Sequence, residues 1–245
     1  MNRTTTTRST ASSGRPRRRR RRFRRLMMFV TFALVGAAVA LIVVPTLNPF
    51  RGPSAAEVAK ENVAAAMAVS PLRGRIVQIA ESQVGYTTDP SSTYCNKYSA
   101  YWVSGTASCN NSNRAEEWCA DFAAWVWKNA GADVMYQFIN GDLNSSSASF
   151  YEWGVDQGTW HPVGSGYVPE PGDVAVYGLD ASQLVAQHVA IVVSDAPGDK
   201  GPDVVNGDGD RTGFSVVELG NDEYTADAPG RTAYLSGYVS PSENS

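Results

Sequence analysis

Glu116-Glu117-Trp118-Cys119-Ala120-Asp121-Phe122-Ala123-Ala124-Trp125-Val126-Trp127 reads as the opening of a buried helix with a cysteine at or near its first turn. Phe122, Ala123, Val126 and Ala130 recur at helical spacing and make one face apolar. Lys128 and Asn129 close the helix, and Gly131 is the expected C-terminal stop. A thiol at a helix N-terminus feels the positive end of the macrodipole, which favours the nucleophilic thiolate. A lone cysteine on such a helix also has a plain reading as a small buried hydrophobe. Asn113 and Glu116 have capping-box spacing, which would start the helix early and bury Cys119 in its second turn. Two stretches downstream weigh against a purely structural cysteine: Gln187-His188-Val189-Ala190-Ile191-Val192-Val193 and Val204-Val205-Asn206-Gly207.

Working outward, Ile76, Ile79, Ala80 and Val84 mark the apolar face of an earlier helix that Gly85 ends. Thr87 to Asn113 is rich in Ser, Asn, Thr and Tyr and reads as a long surface loop. Asn144 to Ser147 offers caps for a short helix through Trp153. Trp153, Trp160 and Tyr167 either line a cleft or pack the core. Pro169-Glu170-Pro171-Gly172-Asp173 is turn chemistry, and strand signals dominate after it. Val174 to Tyr177, His188 to Val193, Asp203 to Asn206 and Phe214 to Leu219 are the expected strands, with Gly237 to Val239 as a last edge strand. Helices first and antiparallel strands after predict an α+β fold, N-terminal helices packed on a small antiparallel sheet.

The N-terminal part has a different character. Residues 1–25 form a basic tail with 11 of the chain's 21 Lys and Arg, and residues 26–47 carry no charge over 22 positions. About 20 apolar residues span a bilayer core, and arginines directly before the span hold that side in the cytoplasm. One transmembrane helix at 26–47 is therefore expected, with the chain beyond it outside the cell membrane. A cleaved signal peptide is the competing reading, although the apolar run is longer than the usual core of such peptides. Residues 48–70 read as a linker or stalk with a short helix, 71–240 as one globular domain and 241–245 as a tail. Residues 51–245 hold 10 basic against 24 acidic side chains, a balance of −14. An acidic outer domain has no electrostatic reason to bind nucleic acid, and the basic block is more simply a topology signal.

Outside a membrane, Cys95 and Cys109 are free to pair, closing a loop worth roughly 3 kcal/mol in the chain-entropy model. Cys119 is then the odd thiol. Cys95, Cys109 and Cys119 lack the paired spacing of a zinc site, and Asp208-Gly209-Asp210-Arg211-Thr212-Gly213 lacks the later ligands of a calcium loop and reads as a tight turn. No metal and no cofactor are expected. A cysteine hydrolase needs a thiolate, an imidazole to take and deliver a proton, and a polar group to orient that imidazole. Cys119, His188 and Asn206 occur in that order, at a helix start, a strand start and the end of the next strand. Asp208 is the alternative orienting group. The only other histidine, His161, lies just before Pro162, where a loop is expected. An imidazolium beside the thiolate would hold the thiol well below its usual range.

Trp118-Cys119-Ala120-Asp121-Phe122, the Pro169 to Val176 turn and strand, and His188-Val189-Ala190-Ile191-Val192 together resemble the CHAP family, over about residues 71–240. These are cysteine, histidine-dependent amidohydrolases and peptidases of the papain-like group. No single motif is specific; the ordered set is. The resemblance implies a papain-like fold, Cys119 as nucleophile, His188 as general base and Asn206 as orienting residue. It also implies cell-wall peptidoglycan peptide as substrate. Two rival functions stay open: an NlpC-type peptidase, and a catalytically weak wall-binding or interaction module of a secretion or transfer complex.

Overall fold

Val174-Ala175-Val176-Tyr177 is apolar at every position because both faces of the strand it forms are covered. The computed structural model describes residues 52–89, 94–102, 117–137, 141–194, 201–209, 217–221 and 234–242. The chain divides into two units, 1–52 and 53–245, and every element named below belongs to the second. The basic tail and the expected membrane span at 26–47 lie outside the described residues. Among the described residues no helix is long and apolar enough to cross a membrane.

Five helices and six strands occur among the described residues. They are α1 (Ala55–Val69), α2 (Pro71–Gln83), α3 (Lys97–Trp102), α4 (Cys119–Ala130), α5 (Ala148–Gln157), β1 (Trp160–Pro162), β2 (Val174–Tyr177), β3 (His188–Val192), β4 (Asp203–Asn206), β5 (Glu218–Asn221) and β6 (Leu235–Val239). The strands form one antiparallel sheet in the order β1-β6-β2-β3-β4-β5. The α+β architecture is therefore the one expected, and it is consistent with a CHAP fold. Val174, Val176, Val189, Ile191, Val205 and Val239 belong to the main core with α2 and α4, while Ala175, Tyr177, Ala190, Val192, Val204 and Tyr238 make a smaller cluster with Tyr167 and Leu235. This alternation is the period of two along each strand.

Local chemistry explains the helices. Ser54 and Glu57 cap α1 reciprocally. Ser70 caps α2, with Pro71 in its first turn. The Pro169 to Asp173 turn is locked to α2 by a buried network. Arg73 donates to Asp173 Oδ1 at 2.8 Å and to the Pro171 carbonyl at 2.8 Å, and Tyr167 Oη donates to Asp173 Oδ2 at 2.7 Å. Gly172 has φ +94°, and a side chain there would press on Arg73. This network fixes where β2 begins, and through β2 the register of β3.

Three expectations need correction. The polar stretch 87–113 is not all loop, because α3 forms within it. Asn96 Oδ1 accepts from the backbone N–H of Tyr98 and Ser99, a cap whose signal is a single Asn, and Tyr98 is fully buried. Val84 does not face the core: it is the C-terminal cap of α2 and is 43% exposed. The strand at 237–239 is not an edge, because Trp160–Pro162 pairs outside it. At three residues, with a proline that donates no hydrogen bond, β1 is too short to show a period. Of the strand expected at 214–219, residues 214–216 lie outside the described residues, and the observed β5 runs Glu218–Asn221.

Candidate active site

Trp118 and Cys119 set the geometry. Helix α4 begins at Cys119, with Trp118 as its N-cap in a non-helical conformation, so Cys119 stands in its first turn; Asn113 and Glu116 lie outside the described residues. Trp118 has no side chain with which to cap. Instead, its backbone N–H donates to Asp208 Oδ2 at 3.0 Å. Asp208 follows β4 in a left-handed conformation, φ 58°. Gly207 lets the two elements meet: a Cβ on it would lie 2.5 Å from Phe122 Cβ. Asp121 anchors the first turn from the other side. It is fully buried, accepts from Ser99 Oγ at 2.5 Å and from the Tyr136 hydroxyl, while its backbone carbonyl accepts from Trp102 Nε1 at 3.0 Å.

Cys119 is a free thiol, 4% exposed. Cys95 is buried, and its expected partner Cys109 lies outside the described residues. The backbone of Val189, the residue after His188, favours the charged form of the Cys119 thiol. The Cys119 sulfur lies 3.3 Å from Ser147 Oγ. The N-terminus of α4 thus delivers its thiol to the start of β3. His188 Nε2 lies 2.9 Å from Asn206 Oδ1, and both residues are buried. An amide oxygen only accepts, so Nε2 carries the proton and Nδ1 the basic lone pair. His188 begins β3 and Asn206 ends β4, where their side chains meet, and Cys119 begins α4, which packs against β3. Asp208 binds the helix start and Asn206 holds the imidazole. His161 lies on β1, separated from β3 by β6 and β2, and stacks on Tyr167 with ring centroids 3.6 Å apart.

Electrostatics correct one expectation. Burial pushes the Cys119 thiol up to about 12; Asp208 and Glu117 add to this, while hydrogen bonds from Ser147 and Val189 oppose it. Burial lowers His188 to about 4 against the opposing effect of Asn206. Both shifts favour the uncharged forms, a thiol and a neutral imidazole, over the thiolate and imidazolium expected from the helix start.

Residues 109–205 match the model of the CHAP domain. The resemblance read from the motifs is thereby shown, over a narrower span. It includes Cys119 and His188 and stops one residue short of Asn206. The CHAP domain is a family of peptidoglycan amidases and peptidases, and that class of activity is what the match supports. No curated protein and no solved structure gives a significant match.

The site residue the sequence missed is Ser147. The run Ser145-Ser146-Ser147 signals a cap, and nothing in it points to a sulfur 28 residues away. Among the described residues no group of His, Cys, Asp and Glu side chains is arranged to hold a metal. Residues 210–213 of the Asp-Gly turn lie outside them.

Proposed function

We propose that the domain is a cysteine hydrolase that cleaves amide or peptide bonds of peptidoglycan, with Cys119 as nucleophile, His188 as general base and Asn206 as the group that orients it. The observation that carries this reading is the buried His188–Asn206 pair at 2.9 Å on the strand against which the helix that begins at the free thiol packs. Asn206 leaves Nδ1 as the basic nitrogen. As substrate binds, Nδ1 takes the Cys119 proton while the sulfur attacks the carbonyl carbon. The oxyanion forms near the first backbone N–H groups of α4, which have no partner within the helix. Nδ1 then protonates the leaving amine, the C–N bond breaks, and a thioester remains. Water, losing its proton to Nδ1, attacks that thioester and restores the thiol.

The charge pattern supports a location for this activity. An uncharged span at 26–47 behind a run of arginines fits a single-pass anchor with the N-terminus in the cytoplasm and the acidic domain outside, where peptidoglycan is. The same placement lets Cys95 and Cys109 oxidise to a disulfide and leaves Cys119 reduced.

One observation favours a second reading. Cys119 is 4% exposed and His188 3% exposed, so the resting site is closed. A closed, uncharged pair suits a weakly active module that holds wall peptide. A zymogram on purified walls separates the two. The hydrolase reading expects clearing by the wild type and none by Cys119→Ala. Equal clearing by both proteins overturns it, and binding to walls without clearing transfers the case to the holding module.

A further inference from the structure

Ser147 stands at the N-cap position of α5 but does not cap the helix. Its side chain makes no capping hydrogen bond, and its backbone is helical (φ −59°, ψ −30°) where a capping residue is normally extended. Neighbours hold the turn in its place. Ser149 Oγ accepts from Asn144 N and donates to the Ser146 carbonyl, and Asn144 Oδ1 accepts from Ser146 N. Ser147 is therefore free to aim its hydroxyl elsewhere, and in the buried interior that hydroxyl lies 3.3 Å from Cys119 Sγ. A serine at this position with no work in the helix is in contact with the proposed nucleophile.

The chemistry of the contact is asymmetric. While Cys119 is a thiol, either atom can donate. Once the proton has gone to His188, the sulfur can only accept. Ser147 O–H is then the hydroxyl in contact with it, helped by the Val189 backbone against the nearby carboxylates of Asp208 and Glu117. Resting on the reading of Cys119 as nucleophile, we infer that Ser147 is a further catalytic residue, whose hydroxyl donates to the Cys119 sulfur as the thiolate forms and releases it once the sulfur is acylated. The hydroxyl rotates about one bond, so it follows the charge without moving the helix. A hydrogen bond to an ionised group is about twice as strong as a neutral one, so the interaction strengthens with the charge and acts on the attacking state.

The test measures the sulfur directly. The full-length chain in detergent is treated with iodoacetamide between about pH 7 and 10, where the thiolate sulfur displaces iodide and a C–S bond replaces the C–I bond. Labelling of the Cys119 peptide is followed by mass spectrometry. Ser147→Ala is expected to slow labelling about tenfold at every pH in that range, with the midpoint of thermal unfolding unchanged because no cap is lost. Ser147→Thr keeps the hydroxyl and Ser147→Val has the same shape without it. Threonine is expected to label near the wild-type rate and valine as slowly as alanine. On purified walls, kcat is expected to fall in the same order with KM unchanged. Equal labelling of wild type and Ser147→Ala overturns the inference, as does threonine labelling as slowly as valine. If the larger pair does not fold, the alanine variant, which adds no volume, decides alone. Should wall hydrolysis be absent in the wild type or survive Cys119→Ala, the peptidoglycan reading fails while the labelling comparison still decides the role of Ser147 at the sulfur.

Discussion

Acidification from about pH 7 to about pH 4.5 tests the burial of His188. The imidazole is held at about 4, below its ordinary 6.5, mainly by burial. An unfolded chain takes up the proton near 6.5 while the folded one refuses it. The contribution of a neutral His188 to stability is therefore fully present above about 6.5 and is lost as pH falls through that value toward 4. At about 1.36 kcal/mol per pH unit, the loss by pH 4.5 is on the order of 3 kcal/mol. A domain of this size shifts its midpoint by about 2–4 °C per kcal/mol, so the histidine accounts for a fall of about 6–12 °C. The assay is thermal unfolding of wild type and His188→Gln at both pH values. Glutamine stays neutral and still offers an N–H to Asn206, and the carboxylates that titrate in this range are common to both proteins. The wild type should lose about 3 kcal/mol more than the variant on acidification. Equal losses would refute the argument and mean that His188 titrates in the fold as it does in water.

The remaining expectations concern the network, the orienting pair and the thiol. Asp173→Ala should destabilise the protein by about 3–5 kcal/mol in denaturant titrations, because Arg73 stays buried without its closest carboxylate; a loss below about 1 kcal/mol would mean that Glu170 and the Pro171 carbonyl suffice. Asn206→Ala should lower kcat on walls with a smaller effect than His188→Ala, and Asp208→Ala should cost about 1 kcal/mol of stability through the lost helix cap while sparing the chemistry; the reverse pattern would exchange their roles. Wild-type Cys119 should react with iodoacetamide near pH 7 more slowly than a small free thiol, with the rate still rising above about pH 9, whereas a plateau reached near pH 6 would show a preformed ion pair.

The elements that carry strong periodicity or strong punctuation were legible from the chain alone. The apolar β2, the Asn206 that ends β4, and α4 between Cys119 and Gly131 stand in the structure where the spacing put them. What the sequence hid is what depends on a contact between distant segments. Asn96 caps a helix of six residues that has too few turns to show a face. Strand β1 owes its existence to β6, some 75 residues later. Asp208 looked like an orienting acid because it follows Asn206 by two. In the fold its left-handed backbone places its carboxylate at the N-terminus of α4. Ser147 looked like a cap because serines before a helix usually are.

Burial also explains why the helix start did not yield a thiolate. The interaction of a charge with the end of a helix is worth about 0.3–1 kcal/mol when exposed and up to about 2 when partly buried. Raising a thiol from about 9 to about 12 opposes ionisation by roughly 4 kcal/mol, so desolvation wins at Cys119. The same exclusion of water pushes His188 the other way, and each residue is kept neutral by the wall that encloses both. A pair of this kind does not store charge while it waits. On the proposed hydrolase reading, it separates charge only when a substrate supplies a carbonyl carbon for the sulfur and an amine for the proton. Asn206 makes that possible without itself ionising: it fixes which nitrogen is basic and adds no charge that would have to be desolvated. A carboxylate in its place would raise the basicity of the imidazole by setting a negative charge beside it. An amide at the end of β4, and a carboxylate two residues on that is turned to the helix start, suit a histidine that burial keeps neutral.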